Sequence, residues 1–248
     1  MGQLGWVWFA GDAGEWDVVG DFGMTGPDGS VSTPPSGNSI FGYLSTVNAI
    51  LGPPFVPLDG VTGEGTTTDG STITSPLFVA EQGSSITLNL NFVTTDGSAF
   101  TDYAWVELLT ESNIRQDVIL VIRTNISKIV VPAQGAPASS GTITPAQPLS
   151  IIERFEENPE TGTIELVGPI WSVLGINSGQ CYRTGCGYTG WINVSYIVTN
   201  GNRYKLKIGV ANWGDRVFET ALGIDDIRVN GNLLTPPLPP LPSNPATP

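Results

Sequence analysis

The sequence predicts an all-β fold, a β-sandwich, and three observations predict it. Apolar residues alternate with polar ones over several short runs. Turn-forming residues punctuate those runs, with 31 Gly and 20 Pro in 248 residues. Charged residues make up only 13 % of the chain, about half the usual ~25 %. The 40 % hydrophobic content still provides for a core. A chain of this length commonly forms one all-β domain.

In chain order, residues 43–51 suggest at most one helical turn, stopped by Gly52-Pro53-Pro54. Residues 71–79, 85–94, 103–109 and 118–124 read as strands. In 85–94, Ile86, Leu88, Leu90 and Phe92 alternate with Thr87, Asn89 and Asn91, the period of a strand with one buried face. Residues 133–148 are rich in Pro, Ala, Ser and Gly and predict a long surface loop. Residues 151–155 and 163–167 flank "EENPETG" as a hairpin. Strands follow at 191–198, 203–210 and 222–229. Asp-Gly and Asn-Gly dipeptides tolerate the positive φ of tight turns, and Asn200-Gly201 predicts a hairpin between the two strands beside it. A further Asn-Gly stands at 230–231. After Asn232 the chain turns proline-rich, favouring polyproline II. The expected organisation is an N-terminal arm and first part of the sandwich over 1–59, a sandwich core over 60–232, and a C-terminal arm over 233–248.

The net charge of −13 argues against nucleic acid, whose phosphates require a Lys/Arg footprint, and against anionic membranes. No apolar run approaches the ~18 residues of a membrane span. The opening "MGQLGWVWFAGDAGEW" lacks the basic region and apolar stretch of a signal peptide.

Histidine is absent, which removes the commonest general base, the His-dependent triads and the usual zinc ligands. A glycosidase needs only two carboxylates. Glu153, Glu156 and Glu157 are the candidates, but they surround a predicted turn beside Pro159 where solvated charge is the default. The expectation is a protein that is not an enzyme. Asp225-Asp226 lie in a strand pattern, with Asp226 sharing a face with Ile224 and Asp225 with Ile227. A carboxylate on a core-side face needs a partner: a cluster of backbone N–H groups, an Arg, or a hard cation such as a structural Ca²⁺. No other cofactor is implied. Trp171, Tyr182, Tyr188 and Trp213 lie near Gly-rich turns, either folded back on the sandwich or presented to a glycan or protein partner. Cys181 and Cys186, the only cysteines, lack the spacing of a redox pair and the companions of a zinc site. A disulfide closing "CYRTGC" fits them best and implies an oxidising exterior; two free buried thiols are the alternative.

The segments "TITSPLFVAEQGSSITLNLNF", "FVTTDGSAFTDYAWVELL", "GCGYTGWINVSYIV" and "GVANWGDRVFETALGIDDIRVNG" resemble the choice-of-anchor, PEP-CTERM-associated family of bacterial exported β-sandwich proteins, over roughly residues 60–231. The resemblance implies a jelly-roll-like sandwich and an extracellular setting, without a reaction. Members of that family carry a signal peptide and an anchor, and this chain shows neither at its ends. A virion protein fits that combination. The leading expectation is therefore a non-enzymatic structural or decoration protein of a phage capsid or tail surface, or of another extracellular assembly. Its partners would be other subunits, as a homo-oligomer or shell. Arms carrying Trp6, Trp8, Trp16, Leu234, Pro236, Leu238 and Leu241 would make the contacts. The alternative is a secreted carbohydrate-binding or adhesion module at the cell surface, with the loop aromatics as its glycan platform.

Overall fold

The computed structural model describes residues 16–51, 67–123, 129–130, 141–144 and 149–234. Trp6, Trp8, Pro236, Leu238 and Leu241, with most of the 133–148 segment, lie outside the described residues. The chain opens with β1 (Asp17–Val19), β2 (Asp21–Thr25), β3 (Phe41–Ser45) and β4 (Ile50–Leu51). Next come β5 (Thr67–Thr74), β6 (Phe78–Ala80), β7 (Ser85–Thr94), β8 (Tyr103–Thr110) and β9 (Arg115–Arg123). Short strands β10 (Ile129–Val130), β11 (Gly141–Thr144) and β12 (Leu149–Ser150) precede the β13 (Arg154–Glu157) and β14 (Ile164–Val167) hairpin. A 3₁₀ stretch (Ser172–Asn177) leads to β15 (Gly187–Tyr188), β16 (Ile192–Ile197), β17 (Asn202–Trp213), β18 (Thr220–Val229) and β19 (Asn232–Leu233).

Two large antiparallel sheets form the sandwich, with two two-stranded sheets, β10-β12 and β13-β14, beside them. The first runs β1-β5-β17-β8-β9, with β4 on β5 and β6 on β17. The second runs β11-β16-β7-β18-β3-β2, with β15 on β7 and β19 on β18. The chain changes sheet between β6 and β7, β7 and β8, β16 and β17, and β17 and β18, so both sheets are built from strands distant in sequence. Their inner faces meet in one core: Leu88, Phe92, Leu222 and Ile224 of the second sheet pack with Val106, Leu108, Leu206 and Ile208 of the first. Burying each such side chain contributes roughly 1.5–3 kcal/mol. The alternation of 85–94 reads out directly, with Ile86, Leu88, Leu90 and Phe92 all inside.

The opposite side of β7 is not solvent. Residues 26–40 and the 3₁₀ stretch cover the outer face of the second sheet. There Val31, Phe41, Val93, Trp171, Leu174 and Ala221 form a separate small core.

Several expectations are corrected. The turn expected over 43–51 is confined to 46–49, where Ala49 N–H donates to Thr46 O at 3.1 Å; the residues on either side are strand, β3 gaining its hydrogen bonds from β18 and β4 from β5. Residues 71–79 are two strands, β5 and β6, separated at Pro76, which has no N–H to donate to a ladder. Asn200-Gly201 makes no hairpin. The strands on its two sides belong to different sheets, β16 pairing with β7 and β17 with β5 and β8. The arm contacts expected of Trp16 and Leu234 are made within the chain: Trp16 is 6 % exposed in the main core and Leu234 packs against it. Residues 17–45 supply β1, β2 and β3 to both sheets and are integral to the sandwich.

Candidate functional site: the loop end of the sandwich

At one end of the sandwich the segments 46–49, 95–102 and 214–219 connect the sheets. The cysteine loop joins them. Cys181 and Cys186 form the disulfide, with Cα atoms 5.7 Å apart. The bridge is the mark of an oxidising environment, and no helix among the described residues is long and apolar enough to cross a membrane. The clasped loop is fastened from two sides. Tyr182 N–H donates to Thr95 O (3.0 Å), and Thr184 O accepts from Ser98 N–H (3.1 Å). Gly185 N–H donates to Glu153 Oε1 at 2.9 Å.

The clasp presents Tyr182, which is 38 % exposed. Its ring meets Phe218 (centroids 5.1 Å apart) and Phe100 (5.6 Å, edge-on), and the Arg183 guanidinium lies over it at 4.9 Å. Phe218 stands between Val217 and Glu219, both of which line an open cavity of about 680 Å³. Thr46, Thr68, Asp69, Asp215 and Arg216 line the same cavity.

Four carboxylates lie at this end: Asp69 and Glu219 in the cavity lining, and Asp96 and Asp102 buried. Asp102 is buried; Oδ1 accepts from Trp213 N–H (2.8 Å) and Oδ2 from the Thr220 hydroxyl (2.5 Å). Asp96, also buried, accepts from Gly97 N–H at 2.6 Å. Asp69 Oδ1 accepts from Asn212 Nδ2 at 3.0 Å, and Glu219 Oε2 from the Thr46 hydroxyl at 2.5 Å. Burial pushes the Asp96 carboxyl up to about 7, with the Asp215 charge adding to it. Asp102 is held well above the usual carboxylate range, by burial first and then by the Asp96 charge. Burial also raises Asp69 and Glu219; Arg216 opposes the rise at Asp69. Acids that burial desolvates and whose charges repel one another resist ionisation.

The other sequence candidates are placed as follows. Trp171 is fully buried in the outer core, and Trp213 is 6 % exposed beside Tyr103 and Trp105 with the Arg123 guanidinium over its ring. Neither ring is open to a sugar, which corrects their assignment to a glycan platform. Tyr188 is half-buried against the outer core, leaving Tyr182 as the exposed ring of the four. Asp225 and Asp226 do not follow strand alternation. A bulge between Asp225 and Arg228, with Asp226 at φ 53°, sets both Ile224 and Ile227 into the core. Asp225 therefore faces the cover, where Ser36 Oγ (2.5 Å) and Asn38 Nδ2 (2.8 Å) donate to its two oxygens. Asp226 pairs with Arg228 at 2.8 Å. Asp226 thus has the Arg partner that was one of the expected alternatives, and Asp225 is held by side-chain donors instead of backbone N–H groups or Ca²⁺. Glu156 pairs with Arg154, Glu157 is exposed, and Glu153 holds the clasp, so the three do not face one another as a catalytic pair.

Sequence reasoning missed Asp69, Asp96, Asp102, Asp215 and Glu219. Asp69-Gly70 and Asp96-Gly97 carry the turn signal of Asp-Gly dipeptides. Asp69 instead lies in β5, and Asp96 is buried beyond the end of β7. In a chain this poor in charge, acids clustered at strand ends were the available signal. Among known proteins, no family model matches the chain and no curated protein matches it in sequence.

Proposed function

We propose that the protein is a non-enzymatic recognition module of the extracellular β-sandwich type, and that it binds a polyhydroxylated ligand, a glycan, at the loop end. The observation that carries this reading is the junction of Tyr182 and Phe218 with the polar cavity lined by Asp69, Asp215, Arg216 and Glu219. An exposed ring suits the apolar face of a sugar, and carboxylates and a guanidinium suit its hydroxyls. The disulfide supports an extracellular setting, and the likeness to choice-of-anchor sandwiches belongs to the same proposal. A glycan array probed with the folded full chain tests it. Binding lost in Tyr182→Ala but kept in Tyr188→Ala is the expected result; an array silent for well-folded protein overturns it.

A second reading, a subunit of a virion or other extracellular assembly, is favoured by the β13–β14 hairpin. Phe155 pairs with Leu166 and Glu157 with Ile164, so these four share one face, and Phe155 and Ile164 are 55 % and 66 % exposed. Sedimentation velocity compares wild type with Phe155→Ser/Ile164→Ser. Oligomers lost in the variant support this reading, and a monomer at every concentration opposes it.

A further inference from the structure

The outer face of the first sheet carries a groove of about 730 Å³. Strand register sets its floor. One row crosses the five strands as Asp17, Thr74, Lys207, Glu107 and Val118, and the next brings Lys205, Leu109 and Arg115 side by side. Lys205, Lys207 and Arg115 are three of the ten cations in a chain of net charge −13, and all three line the groove. The carboxylates in the same lining are Glu107 and Asp17. Glu107 is 4 % exposed and is shared: Arg115 Nε donates to Oε2 at 2.7 Å, Trp105 Nε1 to Oε1 at 3.4 Å, and Lys207 Nζ stands 3.8 Å from Oε1. Lys207 is therefore a withdrawn cation with an incomplete partner. Its side chain is 14 % exposed, yet among the described residues its ammonium makes no hydrogen bond beyond that long ion pair. A lysine drawn this far from water ordinarily has a full partner. Lys205 reaches only a neutral one, Asn113 Oδ1 at 2.9 Å.

We propose that this groove binds a carboxylate-bearing sugar, a uronic acid residue, with Lys207 and Lys205 taking the carboxylate and the Thr74 hydroxyl and Asn113 amide N–H₂ taking ring hydroxyls. Three cations against two carboxylates leave a surplus of one positive charge, which matches a monoanion. A phosphate dianion would bring twice the charge against Glu107 and Asp17. The Arg115 guanidinium is engaged by Glu107 and positions that carboxylate, so the two ammoniums are the donors left for a ligand. Among the described residues the Thr74 hydroxyl and the Asn113 N–H₂ have no partner. Polar groups that converge unpaired on a groove are what orients a ligand there, and Val19 and Leu109 add apolar contact. The groove shares no lining residue with the loop-end cavity, so this inference does not rest on glycan binding at Tyr182.

Short oligomers of galacturonate, mannuronate and glucuronate are titrated into the folded full chain by calorimetry. Their methyl esters keep the hydroxyls and lack the charge; polyglutamate keeps the charge and lacks the sugar. Expected is binding of at least one uronate, weakened by added salt, with its ester and polyglutamate roughly tenfold weaker or more. Lys207→Met should weaken uronate binding roughly tenfold or more, as loss of a charged hydrogen-bond donor does. Arg203→Gln, on the same strand but paired with Glu111 outside the groove, leaves binding unchanged. So does Tyr182→Ala, which separates this groove from the loop end. Amide resonances of Glu107, Lys205 and Lys207 should move on titration of the wild type, a readout that needs no variant to fold. Silence of all three uronates on folded wild type overturns the proposal. So does equal binding of the ester or of polyglutamate, wild-type affinity in Lys207→Met, or loss of binding in Arg203→Gln or Tyr182→Ala.

Discussion

The two ends of the sandwich are closed by different means. At one end, tight turns stitch the sheets through backbone and neutral side chains. Gly83 N–H donates to Val198 O and Val198 N–H to Ser84 O, and Asn230 exchanges bonds with Ser85 through both its backbone and its Oδ1. Near that end Glu81 and Glu111 are exposed and Asp226 is ion-paired with Arg228. At the other end, longer segments meet over buried Asp69, Asp96 and Asp102 beside Glu219, and a disulfide fixes the outermost loop. The first end is built for stability, because its turns are closed by local hydrogen bonds between backbone and neutral side chains. The second holds ionisable groups away from water and surrounds a cavity, which is the arrangement of a site rather than of a seam.

The largest effect should come from pH. Folded-state carboxyls raised above their unfolded value near 3.8 take up more protons in the native protein. Stability is then greatest below that value and is lost as pH rises towards about 7 at Asp96. Urea midpoints should show the protein more stable at pH 5 than at pH 8, by on the order of 2–4 kcal/mol in EDTA. Asp96→Asn should flatten that slope. A wild type equally stable at both pH values would remove the distinction between the ends.

Reducing the clasp comes next. Cys181→Ser/Cys186→Ser should cost about 2 kcal/mol by loop entropy, read as a lower melting temperature. The turn end, which has no covalent tie, should keep its hydrogen-exchange protection. Loss of protection at both ends alike would show that the clasp stabilises the whole fold instead of its own loop.

The smallest effects separate the two Asn-Gly dipeptides of the turn end. Asn230 and Gly231 have φ of 50° and 78° and form the tight β18–β19 hairpin. An added Cβ at Gly231 meets nothing within 4 Å, so Gly231→Ala should cost about 1 kcal/mol from backbone conformation alone. Gly201 is outside the left-handed region, and its added Cβ would approach Gln82 N at 3.3 Å. Gly201→Ala should cost only a few tenths of a kcal/mol. Thermal unfolding of the pair checks the order, and equal costs would contradict it.

That pair also marks how far the sequence reaches. A dipeptide's tolerance of positive φ is local and legible, but whether the flanking strands pair is not. The strands beside Asn200-Gly201 find partners far away in the chain. The sequence by itself determined the all-β class, the span of β7 with its buried alternation, and the β13–β14 hairpin, because each depends on neighbours along the chain. It also singled out the cysteine clasp and Tyr182. Only the tertiary structure decided that Trp171 and Trp213 are buried and that a bulge at Asp226 turns Asp225 towards Ser36 and Asn38. It alone brought Asp69, Asp96, Asp102, Asp215, Glu219 and Asn212 to one end. Those residues come from β5, β17 and the ends of β7, β8 and β18. A carboxylate's environment is set by which strands lie beside it, and sheet pairing at long range fixes that.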